Sequence, residues 1–127
     1  MKKLILMAIV MLTLVSNITA KSWEYKASVS TKYQVKLPDI NSVVKIGTND
    51  YSSVITITLE SVQIVNSNGV KFNQKILSSN MGENNEIILE LPEDRFLFIE
   101  DNRKITMLNL KTGKVIVYYI TAAKIKP

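Results

Sequence analysis

Trp23-Glu24-Tyr25-Lys26-Ala27-Ser28-Val29-Ser30-Thr31-Lys32-Tyr33-Gln34-Val35-Lys36-Leu37 is the stretch on which the fold turns. Its odd positions carry Trp, Tyr, Ala, Val, Thr, Tyr, Val and Leu, and its even positions carry Glu, Lys, Ser, Ser, Lys, Gln and Lys. A repeat of two places the first set on one face of an extended strand and the second on the other, whereas a helix would scatter the aromatic side chains around its circumference. The run is long for one strand, so a bend or a second strand is expected over residues 28–31. Pro38-Asp39 ends it.

Downstream, the same extended reading continues. Residues 43–46 are a short apolar run closed by Gly47-Thr48-Asn49-Asp50, a turn composition. Ile55, Ile57 and Leu59 share one phase, whereas Val62 and Ile64 share the opposite one; a bulge or corner near Ser61 is expected to absorb that slip. Asn68-Gly69 between two strand-like runs predicts a hairpin of type I′, whose central residues need positive φ. Residues 77–86 (LSSNMGENNE) read as the longest loop, and Ile87 to Leu91 as a strand stopped by Pro92. Three close-set strands follow, over residues 95–100, 105–110 and 115–121, with four-residue links that suit antiparallel neighbours. Residues 96–99 and 115–120 are apolar on both faces, which predicts a place inside a packed structure, or against a second sheet or a lipid-like interior. Residues 121–126 are the one candidate for a short helical tail.

The chain therefore reads as all-β, with roughly seven to nine strands and mostly short links. The expected architecture is an antiparallel up-and-down meander, either a small β-barrel or a two-layer β-sandwich. The expected organisation is a signal-peptide helix over residues 1–20 and a single all-β domain over residues 21–127. The leader is read from Lys2 and Lys3, the apolar residues 4–15 broken by Thr13, and small Ala20 at the cut. Its apolar run is shorter than the roughly 20 residues of a spanning helix. An exported, periplasmic or secreted protein with no membrane span after cleavage is the expectation.

Removing the leader leaves 107 of the 127 residues, enough for one core. It also removes Lys2 and Lys3, taking the basic side chains from 16 to 14 against 11 acidic ones, a balance of +3. That is too mild for a nucleic-acid footprint. The chain has no cysteine and no histidine. Disulfides, Cys-His catalysis, the usual zinc sites and Ser-His-Asp triads are thereby excluded. No metal, cofactor or catalytic residue is expected.

Three short motifs imitate an active site: Ser42-Val43-Val44-Lys45, Ser78-Ser79-Asn80 and Lys111-Thr112-Gly113 follow the order seen in penicillin-binding proteins. There the serine and lysine lie one helical turn apart, but on a strand positions i and i+3 point to opposite faces. Glu83, Glu86, Glu90, Glu93, Asp94, Glu100 and Asp101 crowd the second half, and a pair of carboxylates would suffice for glycoside hydrolysis. The plainer reading is that these acids solvate loops and flank turns.

Trp23 opens the first strand. In lipocalin-like barrels a Gly-x-Trp stands there, its indole closing the barrel floor near a basic residue of the last strand. Trp23 is similar in place, with Lys21 where that glycine would be and Lys124 or Lys126 as the basic partner. The likeness is one of shape, and no membership is drawn from it.

The functional expectation is a non-catalytic binding protein for a small apolar or amphipathic ligand. Its candidate contacts are Trp23, Tyr25, Tyr33, Phe96, Phe98 and Tyr119, with residues 77–86 as a lid. Lys26, Lys32 and Lys36 form a candidate surface patch on the polar face of the first strand. The alternative is an envelope protein-interaction or inhibitor module acting through an edge strand or loops, and a carboxylate-based hydrolase is the third reading.

Overall fold

The computed structural model describes residues 22–36, 39–101 and 103–126. The expected leader over residues 1–20 lies outside them. Ten strands follow one another: β1 (Ser22–Lys36), β2 (Asp39–Asn49), β3 (Ser53–Ile57), β4 (Ser61–Asn66), β5 (Lys71–Lys75), β6 (Ser78–Met81), β7 (Ile87–Leu91), β8 (Arg95–Glu100), β9 (Lys104–Asn109) and β10 (Lys114–Lys126). No helix occurs among the described residues. The strands form a single antiparallel sheet in the order β5-β4-β3-β1-β10-β9-β8-β7-β6, with β2 attached to β1.

The two ends of that order, β5 and β6, are consecutive in the chain, so the sheet has to curl. Residues 76 and 77 link the two edges: Ile76 donates its N–H to the Glu60 carbonyl beside β4, and Leu77 donates to the Glu90 carbonyl of β7, each at 2.8 Å. The result is a barrel-like sheet, and among the described residues no second sheet faces it to make a sandwich.

β1 is the axis. Its first half pairs with β3, from Trp23↔Ile57 to Ala27↔Ser53, and its second half pairs with β2, from Ser30↔Asn49 to Lys36↔Asp39. Along its other edge it pairs with β10, from Ser22↔Lys126 to Gln34↔Lys114. The register shifts between Lys26 and Ala27, leaving Thr121 of β10 without an opposite number, and again between Ala27 and Val29, leaving Ser28 without one. One extra residue exchanges the two faces of everything beyond it. Trp23, Tyr25 and Ala27 point inward, but past the bulge the inward phase passes to Ser30 and Lys32, opposite Tyr118 and Ile116. The expectation that Tyr33 shares a face with Trp23 and Tyr25 is corrected by this slip.

Residues paired directly across antiparallel strands share a face. Two inner rows follow, Ile87–Ile99–Ile105–Tyr118–Ser30 and Leu89–Leu97–Met107–Ile116–Lys32. Ile55, Ile57, Val62 and Ile64 close on them from β3 and β4, around Tyr25. The centre is filled: Tyr25, Ile55, Val62, Leu97 and Ile105 are each at most 1% exposed. A fully buried side chain of this kind contributes about 1.5–3 kcal/mol.

The outer rows are Ile88–Phe98–Thr106–Val117–Thr31 and Glu90–Phe96–Leu108–Val115–Tyr33. They account for strands that are apolar on both faces without a second sheet. Phe96 and Phe98 are half-buried by lateral neighbours, and Thr31, Val35 and Val117 are buried.

Several links differ from the sequence-based expectation. The phase slip near Ser61 is a reversal, not a bulge: Ile57 pairs with Val62, and Thr58 Oγ1 accepts N–H bonds from Ser61 at 3.0 Å and Glu60 at 3.2 Å. The Asn68-Gly69 hairpin has a three-residue link over 67–69 in which Gly69, at φ 94°, takes the positive φ while Asn68 does not, so it is not type I′. Residues 43–46 belong to the longer β2, which runs through Gly47 to Asn49. The expected loop over 77–86 contains β6, whose polar sequence hid a strand that pairs with β7. The expected helical tail is the end of β10, held by β1.

The β9–β10 turn is clamped to β1 through Gly113. At φ 76° its N–H bonds the Asn109 carbonyl at 2.8 Å, and its own carbonyl accepts from the Val35 N–H at 2.7 Å. A Cβ there would collide with the Val35 carbonyl. Gly113→Ala should therefore cost about 2 kcal/mol or more, from the positive φ and the collision together. Urea denaturation of the variant against the parent protein measures it.

Candidate functional site

The six aromatic residues singled out from the sequence do not meet around a cavity. Trp23 and Tyr25 are in the filled core. Phe96, Phe98, Tyr33 and Tyr119 lie in outer-face phases. Tyr33 and Tyr119 do pair with each other: Tyr119 is held below its ordinary pKa by hydrogen bonds from Thr31 and Tyr33, and Tyr33 is raised by that same bond. The three patch lysines are also divided. Lys26 lies before the bulge on the outward phase, and Lys32 lies beyond it on the inward phase. Lys36 is exposed at the end of β1. The residues expected to form a lid supply β6 instead.

Two of the cavities in the curled sheet have apolar floors. One, of about 210 Å³, lies between β6 and the β3–β4 turn and is lined mainly by Ile57, Leu59, Ile76, Met81, Ile87 and Leu89. The other, of about 310 Å³, lies at one end of the curled sheet. Its floor is Ile64, Phe72, Met107, Ile116 and Tyr118, and its rim carries Lys32, Arg95 and Lys114 with Asn66, Asn68, Asn109 and Tyr51. This volume is at the small end of the roughly 300–1,000 Å³ seen for ligand pockets.

The inner phase of each strand explains the second site. It reads Val62, Ile64, Asn66 on β4; Arg95, Leu97, Ile99 on β8; Ile105, Met107, Asn109 on β9; and Lys114, Ile116, Tyr118 on β10. Each is apolar in the middle and polar at one terminus. Antiparallel pairing brings those polar termini together: Arg95 stands opposite Asn109, and Lys114 opens β10 just past it. That recurring substitution of a polar residue into a core phase was the signal available in the sequence, and it was missed for Arg95, Lys114, Asn66 and Asn109.

Arg95 is held in place. Its Nη1 donates to Glu93 Oε2 at 2.9 Å, and its guanidinium lies 5.6 Å from the centre of the Phe72 ring, a cation–π contact. Burial, with a smaller effect from Tyr51, pushes the Tyr118 hydroxyl up to about 12, so it remains a proton donor across the neutral range. Ser30, 1% exposed and paired with Tyr118 in the inner row, has an Oγ without a protein partner. Asn49 Nδ2, on the residue paired with Ser30, is in the same position.

Neither cavity is lined by a carboxylate. Glu93, Asp94 and Asp101 take positive φ in turns, and Glu86 turns back to accept the Asn84 N–H at 3.1 Å. Of the three imitation motifs, Ser42 and Lys45 lie on β2, Ser78-Ser79-Asn80 on β6, and Lys111 to Gly113 in the β9–β10 turn. Among the described residues no group of three or more acidic side chains could hold a metal ion. No protein-family model matches the chain, and neither a curated protein nor a solved structure does.

Burial raises both Tyr118 and Tyr25 to about 12 in the folded protein, against about 10 when unfolded. The unfolded chain thus loses these protons first, and stability falls as pH rises from about 10 to about 12. Each tyrosine contributes about 2–3 kcal/mol to that fall. Denaturant midpoints taken across the window should drop, and Tyr118→Phe should flatten the slope by about half.

Proposed function

We propose that this protein is an exported, non-catalytic β-domain that binds a small apolar or amphipathic molecule at the open end of its curled sheet. The observation that carries the reading is the end cavity, whose apolar floor comes from β4, β5, β9 and β10 and whose polar rim comes from Lys32, Asn66, Arg95, Asn109 and Lys114 on strands with Tyr51 and Asn68 from the links. The filled centre favours a shallow, mouth-held ligand over one swallowed whole. Lining groups on strands give such a site a fixed shape, which limits the ordering cost of binding. The export address rests on the leader sequence, and the absence of histidine and cysteine supports binding over catalysis.

A second reading, an interaction module working through an edge strand, is favoured by one feature of β2. The strand pairs only with β1, and Val43, Val44 and Ile46 are 51%, 63% and 59% exposed. A free edge with branched apolar side chains suits strand addition by a protein partner.

A fluorescence titration separates the two readings. The full chain should bind N-phenylnaphthylamine or its anionic sulfonate saturably, one to one. Ile116→Trp, which fills the cavity floor, should weaken that binding by about tenfold or more. Absence of saturable binding by either dye, or indifference to Ile116→Trp, would remove the small-ligand reading. Val44→Lys should leave dye binding unchanged, and should abolish capture of an envelope protein if the second reading holds.

A further inference from the structure

We infer that the end cavity selects a small amphipathic organic anion: a compact apolar body with a single acidic, acceptor-rich head. The inference rests on the ligand-binding reading above and adds the sign and chemistry of the ligand.

Three observations converge. The first is charge. Lys32, Arg95 and Lys114 reach the rim from three different strands, and no carboxylate belongs to the lining. Glu93 takes one nitrogen of the Arg95 guanidinium from outside the cavity, and that side chain is 64% exposed. Such a contact orients the fork and offsets part of its charge, so that Lys32 and Lys114 set the positive sign of the rim.

The second is the direction of the amides. Asn66 Oδ1 accepts from Ser53 Oγ at 2.6 Å, Asn68 Oδ1 accepts from the Val70 N–H at 3.1 Å, and Asn109 Oδ1 accepts from the Lys111 and Thr112 N–H groups at 2.9 and 3.2 Å. Backbone N–H groups are donors only, so the orientation of Asn68 and Asn109 follows from chemistry. Asn109 Oδ1 accepts two bonds inside the protein and Asn66 and Asn68 Oδ1 one each, which leaves the NH₂ donors of all three for something else. The Lys and Arg side chains have no acceptor at all. The rim is rich in donors and poor in acceptors, which matches a carboxylate or a sulfonate and mismatches an amine, a cation or a donor-rich sugar.

The third is the floor. Phe72 lies flat enough beneath Arg95 for a cation–π contact, and Ile64, Met107 and Ile116 complete an apolar surface below the charged rim. A free inorganic anion would satisfy the rim and leave that floor unused.

Two dyes that share an aromatic body test this. Anilinonaphthalene sulfonate carries the anionic head and N-phenylnaphthylamine lacks it. Titrated into the full chain, the sulfonate should bind at least about tenfold more tightly than the neutral dye. Lys114→Glu and Lys32→Glu, both at exposed positions, should each reduce that preference several-fold, and Arg95→Gln should nearly remove it. The two lysine variants keep the test open if Arg95→Gln fails to fold. Inorganic phosphate at matched ionic strength should not displace the sulfonate dye. Equal binding of the two dyes would overturn the inference and leave the small-ligand reading standing. Full displacement by phosphate would overturn the amphipathic class, and no saturable binding of either dye would overturn both.

Discussion

The antiparallel seam between β1 and β10 is the constraint on which the remaining structure depends. It joins the first and last described strands along almost their whole length, and β1 in turn carries β2 and β3 side by side on its other edge. Without the seam, the β7–β8–β9–β10 meander and the β3–β4–β5 meander would be two open sheets, linked only through residues 76 and 77. A small antiparallel sheet with one wet face is marginal by itself. Curling it against a second set of strands buries Tyr25, Ile55, Leu97 and Ile105 together and supplies the core that a chain without disulfides requires.

Much of this was legible in the residues. The alternation of positions 23–37 showed strand, and the regular spacing of apolar runs after residue 87 showed the meander, because a period of two is a direct consequence of extended backbone. Other features were hidden for identifiable reasons. The length of the run pointed to an irregularity over residues 28–31, where the register shift lies, but not to the single extra residue at Ser28 that exchanges the faces beyond it. β6 is Ser-Ser-Asn-Met, a composition that reads as loop and becomes a strand only because β7 offers it a partner. β2 was cut short at Gly47 because turn residues can also lie in a paired strand when their neighbours hold them.

The candidate site was harder to read than the fold. Aromatic residues attract notice, yet here the prominent ones belong to the core or the outer face. The groups at the cavity are ordinary residues in the wrong phase, such as Arg95 ahead of Leu97 and Ile99, or Asn109 after Ile105 and Met107. Their meaning depends on strand pairing, which a linear sequence does not display. Pairing also holds Lys32, Asn66, Arg95, Asn109 and Lys114 in place, since each stands on a strand with a neighbour on both sides.

Consider finally the order in which this molecule must be assembled. Trp23 meets Ile125, and Ser22 meets Lys126, so the closing contacts join residues about a hundred positions apart. A hairpin closes between neighbouring residues, whereas the β1–β10 pairing has to close across that whole separation. A topology dominated by such distant pairings folds in milliseconds to seconds, not microseconds. Until it closes, the chain carries the exposed branched residues of β2 and an unpaired β1 edge together. That interval is the molecule's most vulnerable, and a chaperone or a dilute compartment would matter most then.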